Sequence, residues 1–368
     1  MIEDKIIAFF GCKNITKSCI QNFINNIGQV DHLITISPPD GDNNMVSGYM
    51  NLKDFASENN IKTYFADHYT LNSDKDHKYI KELKIDIAFA IGWQRLIPAK
   101  ILDEIKTGTF GMHGSADGLP RGRGRSPMNW ALIQNRKQFY TNLFRYEDNI
   151  DGGDVIGTQK FDINKFDTIE TLHFKNMISM NRLIMDNMRD ILDNRFELKK
   201  QDEKNATYFP KREPLDGFID WNLTTKDIHN LSRAVTKPFP GALSRIGNEI
   251  ITIWELYPFT DSWNYPNAEC GEIVEVFYNN KFVVKTGDST VLVHDYEINN
   301  NELIKEGTVL KGTDYEEIYK KIETRYPHFV QEHNKEITCE KIKNLYTKCE
   351  RDKMNVQRIV SEDCKLNI

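Results

Sequence analysis

The spacing of four short apolar, β-prone runs in the first hundred residues constrains this chain most: 5–10, 32–36, 63–65 and 85–91. Between them lie mixed polar stretches of helical texture, such as 18–27 and 52–59. Strands that alternate with helices predict a parallel sheet covered on both faces, with the first and fourth runs at its centre. The turn after the first run reads GCKN and carries no G-x-G-x-x-G, so a dinucleotide fingerprint is missing and NAD is disfavoured.

Two other regions have a different texture. Over 168–194, Ile169, Leu172, Met177, Met180, Ile184, Met188 and Ile191 recur at helical spacing, which predicts one amphipathic helix whose methionine stripe is core and not a ligand box. After a polar stretch at 201–206, the alternating runs EIITIWEL, GEIVEVFY, KFVVKT and TVLVHDY fall between NN and GD turn signals and predict a small antiparallel barrel. From 315 onward the sequence is again helical and charge-rich.

Length and charge narrow the function classes. With 368 residues the chain holds two domains or one with a large appendage, and 39% hydrophobic against 28% charged residues is a globular balance. A net charge of −6 gives no general attraction to phosphate backbones or anionic membranes, so neither a nucleic acid nor a membrane is an expected partner. The N-terminal apolar run is short and preceded by acidic residues, unlike a secretory signal, and no segment approaches the ~20 apolar residues of a membrane span. The 6 cysteines, at 12, 19, 270, 339, 349 and 364, form no CxxC and have no histidine at zinc spacing, so reduced thiols in a cytoplasmic protein without a metal are expected.

The chemistry concentrates in 107–157, TGTFGMHGSADGLPRGRGRSPMNWALIQNRKQFYTNLFRYEDNIDGGDVIG. A histidine, His113, follows an apolar turn. A Gly- and Arg-rich loop comes next, then a helix opening at Ser126-Pro127, a strand, and an acidic turn with paired glycines. Pro127 suits a first helical position, with Ser126 as its cap. Taken singly, each piece has a plain structural explanation: a packed histidine, a solvated turn, a tight turn.

In this order they resemble the N-formyltransferase family, which includes methionyl-tRNA, glycinamide ribonucleotide and nucleotide-sugar formyltransferases. That family reads N-x-H, a loop ending R-G, an apolar helix, a strand and a D-x-G-D-like turn. His113 falls on the family histidine, Arg123-Gly124 or Arg121-Gly122 on the loop, and Asp151 on the family aspartate. The stretch 209–254 resembles the D-G-x-I-D-W and R-A-x-x-x-P-x-P-G-A elements that open the family's C-terminal domain, with the sugar-formylating members most alike. The resemblance covers roughly residues 1–310. It implies an α/β fold: a Rossmann-like parallel sheet formyltransferase domain at 1–200, a small OB-like β-barrel domain at 201–312, and a helical C-terminal extension at 313–368.

It also implies transfer of a formyl group from N10-formyltetrahydrofolate to the amine of a nucleotide-linked amino sugar, as in surface polysaccharide (lipopolysaccharide) synthesis. A homodimer is an open expectation. An imidazole near neutral pKa suits the proton transfers, which makes His113 the candidate acid–base group with Asp151 orienting it. Ile91, Gly92, Trp93 and Arg95, with the turn Glu147, Asp148 and Ile150, match the stretches that cradle the pterin in the family. For Trp93 the alternative is a packed strand-end aromatic. Ser115, Arg123, Arg125, Asn129, Lys211 and Arg212 are the substrate-binding candidates, the four cations for the diphosphate because guanidinium forks and ammonium groups match phosphate oxygens.

One departure matters. Where the family has an asparagine that donates to the developing oxyanion, this chain has Gly111, and the loop after His113 is longer. Loss of such a donor costs about a hundred- to a thousandfold in turnover unless another group replaces it, so oxyanion stabilisation is expected to have moved to the lengthened loop. Two rival readings follow. A methionyl-tRNA formyltransferase should carry a basic face, whereas 311–368 has 12 Lys and Arg against 11 Asp and Glu. A binding relative that has lost catalysis would not need both His113 and Asp151.

Overall fold

A computed structural model describes residues 4–43, 46, 48–209 and 212–312; Lys211 and the expected helical extension at 313–368 lie outside the described residues. The N-terminal half runs β1 (Ile7–Phe10), α1 (Asn14–Asn26), β2 (His32–Thr35), α2 (Pro38–Asn43), α3 (Lys53–Glu58), β3 (Lys62–Phe65), α4 (Asp74–Leu83), β4 (Ile87–Ala90) and α5 (Ala99–Leu102). It continues through β5 (Gly108–Ser115), β6 (Arg123–Gly124), α6 (Pro127–Ile133), β7 (Gln138–Arg145), β8 (Val155–Asp162) and α7 (Ile169–Leu192). The rest holds β9 (Tyr208–Phe209), α8 (Thr225–Val235), β10 (Ala242–Ile246), β11 (Glu249–Pro258), β12 (Ile273–Val276), β13 (Phe282–Lys285) and β14 (Thr290–Glu297).

The large sheet has 7 strands in the order β3-β2-β1-β4-β5-β7-β8. Its first five strands pair in parallel, and β7 and β8 extend it antiparallel, so the sheet is mixed and not wholly parallel as the alternation predicted. β1 and β4 are neighbours at its centre and every residue in both is buried, which explains why they read as unbroken apolar runs. One face packs on α1 and α7 through Phe9, Phe23, Leu183 and Ile184; the other packs on α4 and α5 through Phe10, Ile80 and Ile101. The amphipathic helix forms as predicted, capped reciprocally by Thr168 and Thr171, with Ile169, Leu172, Met180, Ile184, Met188 and Ile191 buried.

The C-terminal region forms a 5-stranded antiparallel sheet in the order β10-β11-β14-β13-β12. The segment around Leu310 bridges its two edges, Lys311 to Arg245 and Val309 to Glu272, and completes the small antiparallel barrel that the turn spacing predicted. A third core cluster runs without a break from α6 and α7 (Trp130, Leu132, Leu172) into this barrel (Trp221, Ile251, Val284), so the two halves share apolar interior. Buried polar contacts add to the join: Asn129 Nδ2 donates to Ala234 O at 2.7 Å, and Arg233 donates to Asp167 O at 2.9 Å.

Candidate active site

The parallel strand order reverses between β1 and β4, and such a switch point opens a crevice at the carboxyl ends of the strands. The loops after β1 and β4 flank it. Thr16 Oγ1 in the first turn of α1 donates to Ile91 O at 2.6 Å, and Cys12 Sγ lies 3.6 Å from Gly92 O, so the two loops are tied to each other. Gly92 sits at φ +77, and a Cβ there would stand 2.5 Å from Thr16 Oγ1, so the close approach requires glycine.

His113 lies further along, on β5 beside β7. Its strand is pinned by the buried Asn142, whose Nδ2 donates to His113 O at 3.2 Å while its Oδ1 accepts from Thr158 at 3.0 Å. His113 Nδ1 faces Asp151 Oδ2 at 3.3 Å, and its side chain is 9% exposed. Its Nε2 lies 2.9 Å from Gly122 O. Both ring nitrogens thus face acceptors, and a ring with one proton satisfies only one of them. The same Asp151 oxygen accepts from Gly124 N at 3.0 Å. Asp151 itself is left-handed at φ +50, a conformation aspartate tolerates better than most residues. Sequence reasoning named this pair, and the structure brings it together.

Gly111 shares the face of β5 with His113, two residues along. A Cβ at Gly111 would meet Tyr146 Cδ2 at 2.6 Å and Phe144 Cζ at 3.0 Å, so the space beside His113 belongs to the Tyr146 ring. Tyr146 stacks on Phe144 and donates from its hydroxyl to Arg95 O at 3.2 Å. Burial and the charge of Asp151 hold that hydroxyl protonated well above the usual phenol range. No sequence signal singled out Tyr146, because only folding lays it over Gly111.

The pterin candidates fall where the two loops meet. The Trp93 ring packs edge-on to Phe10 at 6.2 Å and Tyr69 at 4.8 Å, as the packed-aromatic alternative has it, yet its Nε1 is buried without an acceptor among the described residues. Arg95 lies over the Tyr69 ring at 4.9 Å. Glu147 and Asp148 are exposed in the β7–β8 turn, Glu147 accepting from Asn149 Nδ2 at 3.0 Å, and Ile150 is half-buried beside Asp151.

The substrate candidates divide. Arg123 leaves the diphosphate set: it is 2% exposed, and its five N–H donors all go to Gln201, Glu203 and Tyr208. Ser115 is fully buried and donates to Arg121 O, and Asn129 joins α6 to α8, so neither side chain is free for a substrate. Arg212 lies over the Trp130 ring at 4.9 Å in a structural role. The Ser126 hydroxyl makes no cap bond to α6; Ser126 is itself left-handed, and Pro127 starts the helix. Arg125 remains. It lies near enough to Lys13 and Arg95 for its charge to push both down, and burial together with Arg125 brings the Lys13 ammonium to about 8. Lys13 was missed; its signal was a lone cation in the turn after the first strand. Away from the crevice, Asp67, His68 and Asp76 approach within 4.8 Å, but Asp76 already accepts from Tyr64, Ser73 and two backbone amides, which accounts for its burial without an ion.

Comparisons with known proteins agree with this architecture. Family models described as "Formyl transferase" and "Formyl transferase, C-terminal domain" match residues 5–182 and 211–313. The chain is 34% identical over 198 residues to the bifunctional polymyxin resistance protein ArnA of Wigglesworthia glossinidia brevipalpis, a match covering 54% of this chain and 30% of that protein's length. It is 29% identical over 267 residues to the methionyl-tRNA formyltransferase of Fusobacterium nucleatum, covering 72% of this chain and 83% of the relative. Among solved structures, WlaRD, a sugar 3N-formyl transferase crystallised with dTDP and 5-N-formyl-THF, superposes with a TM-score of 0.57 at 23% identity, covering 80% of this chain and 98% of its own. With both halves matched in order, and an α/β sheet followed by an antiparallel barrel, the chain belongs to the formyl transferase family and is an N-formyltransferase.

Proposed function

We propose that this enzyme transfers the formyl group of N10-formyltetrahydrofolate to the amine of a nucleotide-linked amino sugar, in the cytoplasm, as a step that supplies surface polysaccharide. The observation that carries the reading is the cationic crevice beside the proton-handling pair: Arg125 lies near both Lys13 and Arg95, and none of the three has a carboxylate within ion-pair distance among the described residues, as a diphosphate site requires. The sugar-transferring relative crystallised with dTDP is in accord with it. Catalysis falls to residues 1–200, with 201–312 as the barrel domain and 313–368 as an extension.

The residues present fit the folate donor. The orphaned Trp93 Nε1 offers a hydrogen bond to a heteroatom of a flat heterocycle, and the 91–95 loop and the Glu147–Ile150 turn would hold it between them. The donor supplies an activated formyl carbon. His113 takes a proton from the attacking amine once Nε2 is released from Gly122 O, and later returns it to the departing nitrogen. Asp151 fixes the imidazole in one orientation. In the 114–125 loop, which already reaches Nε2 through Gly122, the amides of Asp117 and of residues 121–125 have partners within the protein, so the charge building on the formyl oxygen would fall to the other amides of that loop.

Incubating the enzyme with N10-formyltetrahydrofolate and a panel of nucleotide amino sugars should add one carbonyl to one of them, read by mass spectrometry. A second reading, methionyl-tRNA, has in its favour the match across 72% of the chain. Formylation of charged initiator tRNA, with none of the amino sugars modified, would replace the first reading by the second.

A further inference from the structure

The segment that joins the two halves also reaches the His113–Asp151 pair. Gln201, in that linker, uses its whole carboxamide. Its Oε1 accepts from Arg123 Nε at 3.2 Å and Nη2 at 2.8 Å, while its Nε2 donates to Asp151 O at 2.8 Å and to Gly153 O at 2.6 Å. Arg123 is anchored at its other end by Glu203 and by Tyr208 Oη at 3.0 Å. The backbone around Arg123 touches both members of the pair, through Gly122 O at His113 Nε2 and Gly124 N at Asp151 Oδ2. The linker holds that tripeptide from the backbone side as well: β9 pairs with β6, and Gly122 N donates to Thr207 Oγ1 at 2.9 Å.

Taking His113–Asp151 as the proton-handling pair, we propose that Gln201 is a positioning residue that works with Arg123 as a strut from the linker, setting the distance and angle between the imidazole and the carboxylate. The two carbonyls that Gln201 holds belong to Asp151, left-handed at φ +50, and to Gly153, so its grip falls on the turn that aims the carboxylate. Only an amide fits. The side chain must donate toward two carbonyls and accept from a guanidinium in one plane, which glutamate, lysine and leucine cannot do. A buried, fully bonded network specifies one geometry, and reacting groups about 1 Å out of place lose about a hundredfold in rate.

The test uses the full chain with Gln201→Glu, which keeps the Arg123 bonds and places an acceptor where the two donations were. We expect kcat to fall about tenfold to a hundredfold while KM for N10-formyltetrahydrofolate is unchanged. The low-field Nδ1–H proton resonance of His113, which reports its bond to Asp151, should broaden beyond detection or move upfield. Glu203→Gln, at the strut's solvent end where the side chain is 66% exposed, should leave the fold intact and give the same signature in weaker form. A resonance and kcat like wild type in folded Gln201→Glu would overturn the strut. If that variant does not fold, the same result in Glu203→Gln would overturn it. The resonance needs no substrate, so it tests the strut even where the acceptor is not an amino sugar, and His113→Ala turnover measured alongside reports separately on the pair.

Discussion

Two regions at the carboxyl edge of the large sheet handle charge in opposite ways. Around β5, charge is matched within the protein: Asp151 is met by His113 and Gly124 N, and Arg123 by Gln201, Glu203 and Tyr208. Around β1 and β4, burial pushes Lys13 and Arg95 down, and the charge of Arg125 presses on each of them. A group that moves protons must be held in one geometry before the substrate arrives. A group that binds an anion gains from being left for the ligand to neutralise. Arginines two residues apart in one RGRGR loop fall on opposite sides of this division.

The largest effect should come from breaking the matched region. His113→Ala and Asp151→Asn should each lower turnover by about two orders of magnitude or more with the fold intact. Circular dichroism and steady-state rates check this, and a folded variant of either kind with wild-type rates would remove the pair from the chemistry.

Gly111→Asn probes the border of the same region. The family asparagine cannot enter beside His113 without displacing the Tyr146 ring, 2.6 Å from the Cβ position, so turnover should fall and not rise. Shortening the 114–125 loop should cost more than the point change. A gain of about tenfold in the Gly111→Asn enzyme would mean a merely weakened family site and would end the idea of relocated oxyanion stabilisation.

The cationic region should respond in affinity and not in rate. Lys13→Met and Arg125→Ala should each raise KM for the nucleotide sugar about tenfold, on the scale of one charge-assisted phosphate contact, and leave KM for the folate donor alone. Lys13 titrates near 8 in the folded protein, so it is positive below that pH and loses its charge above it. Nucleotide-sugar KM in the wild type should therefore rise between about pH 7.5 and 9, a window in which an ordinary lysine stays charged. The Lys13→Met enzyme should lack that rise; the same pH dependence in both would take Lys13 out of the anion site.

Residue order alone predicts the alternation of strand and helix, the centre of the sheet at the first and fourth apolar runs, the α7 stripe, the barrel and the His113–Asp151 pair. All but the last follow from periodicity and turn chemistry, which are local along the chain; the pair follows from the family resemblance that the order of the motifs carries. Tertiary structure decided the antiparallel strands that widen the sheet, the shared core between the halves, and the fate of each cation. Arg123 and Arg125 carry identical local signals, and which is bolted to the linker and which faces Lys13 depends on β6 pairing with β9, over 80 residues later for Arg123 and Tyr208. Tyr146 over Gly111 and Gln201 beneath Asp151 were illegible for the same reason. Steric occupancy and hydrogen-bond saturation are properties of neighbours in space, and no residue pattern encodes them before the chain has closed.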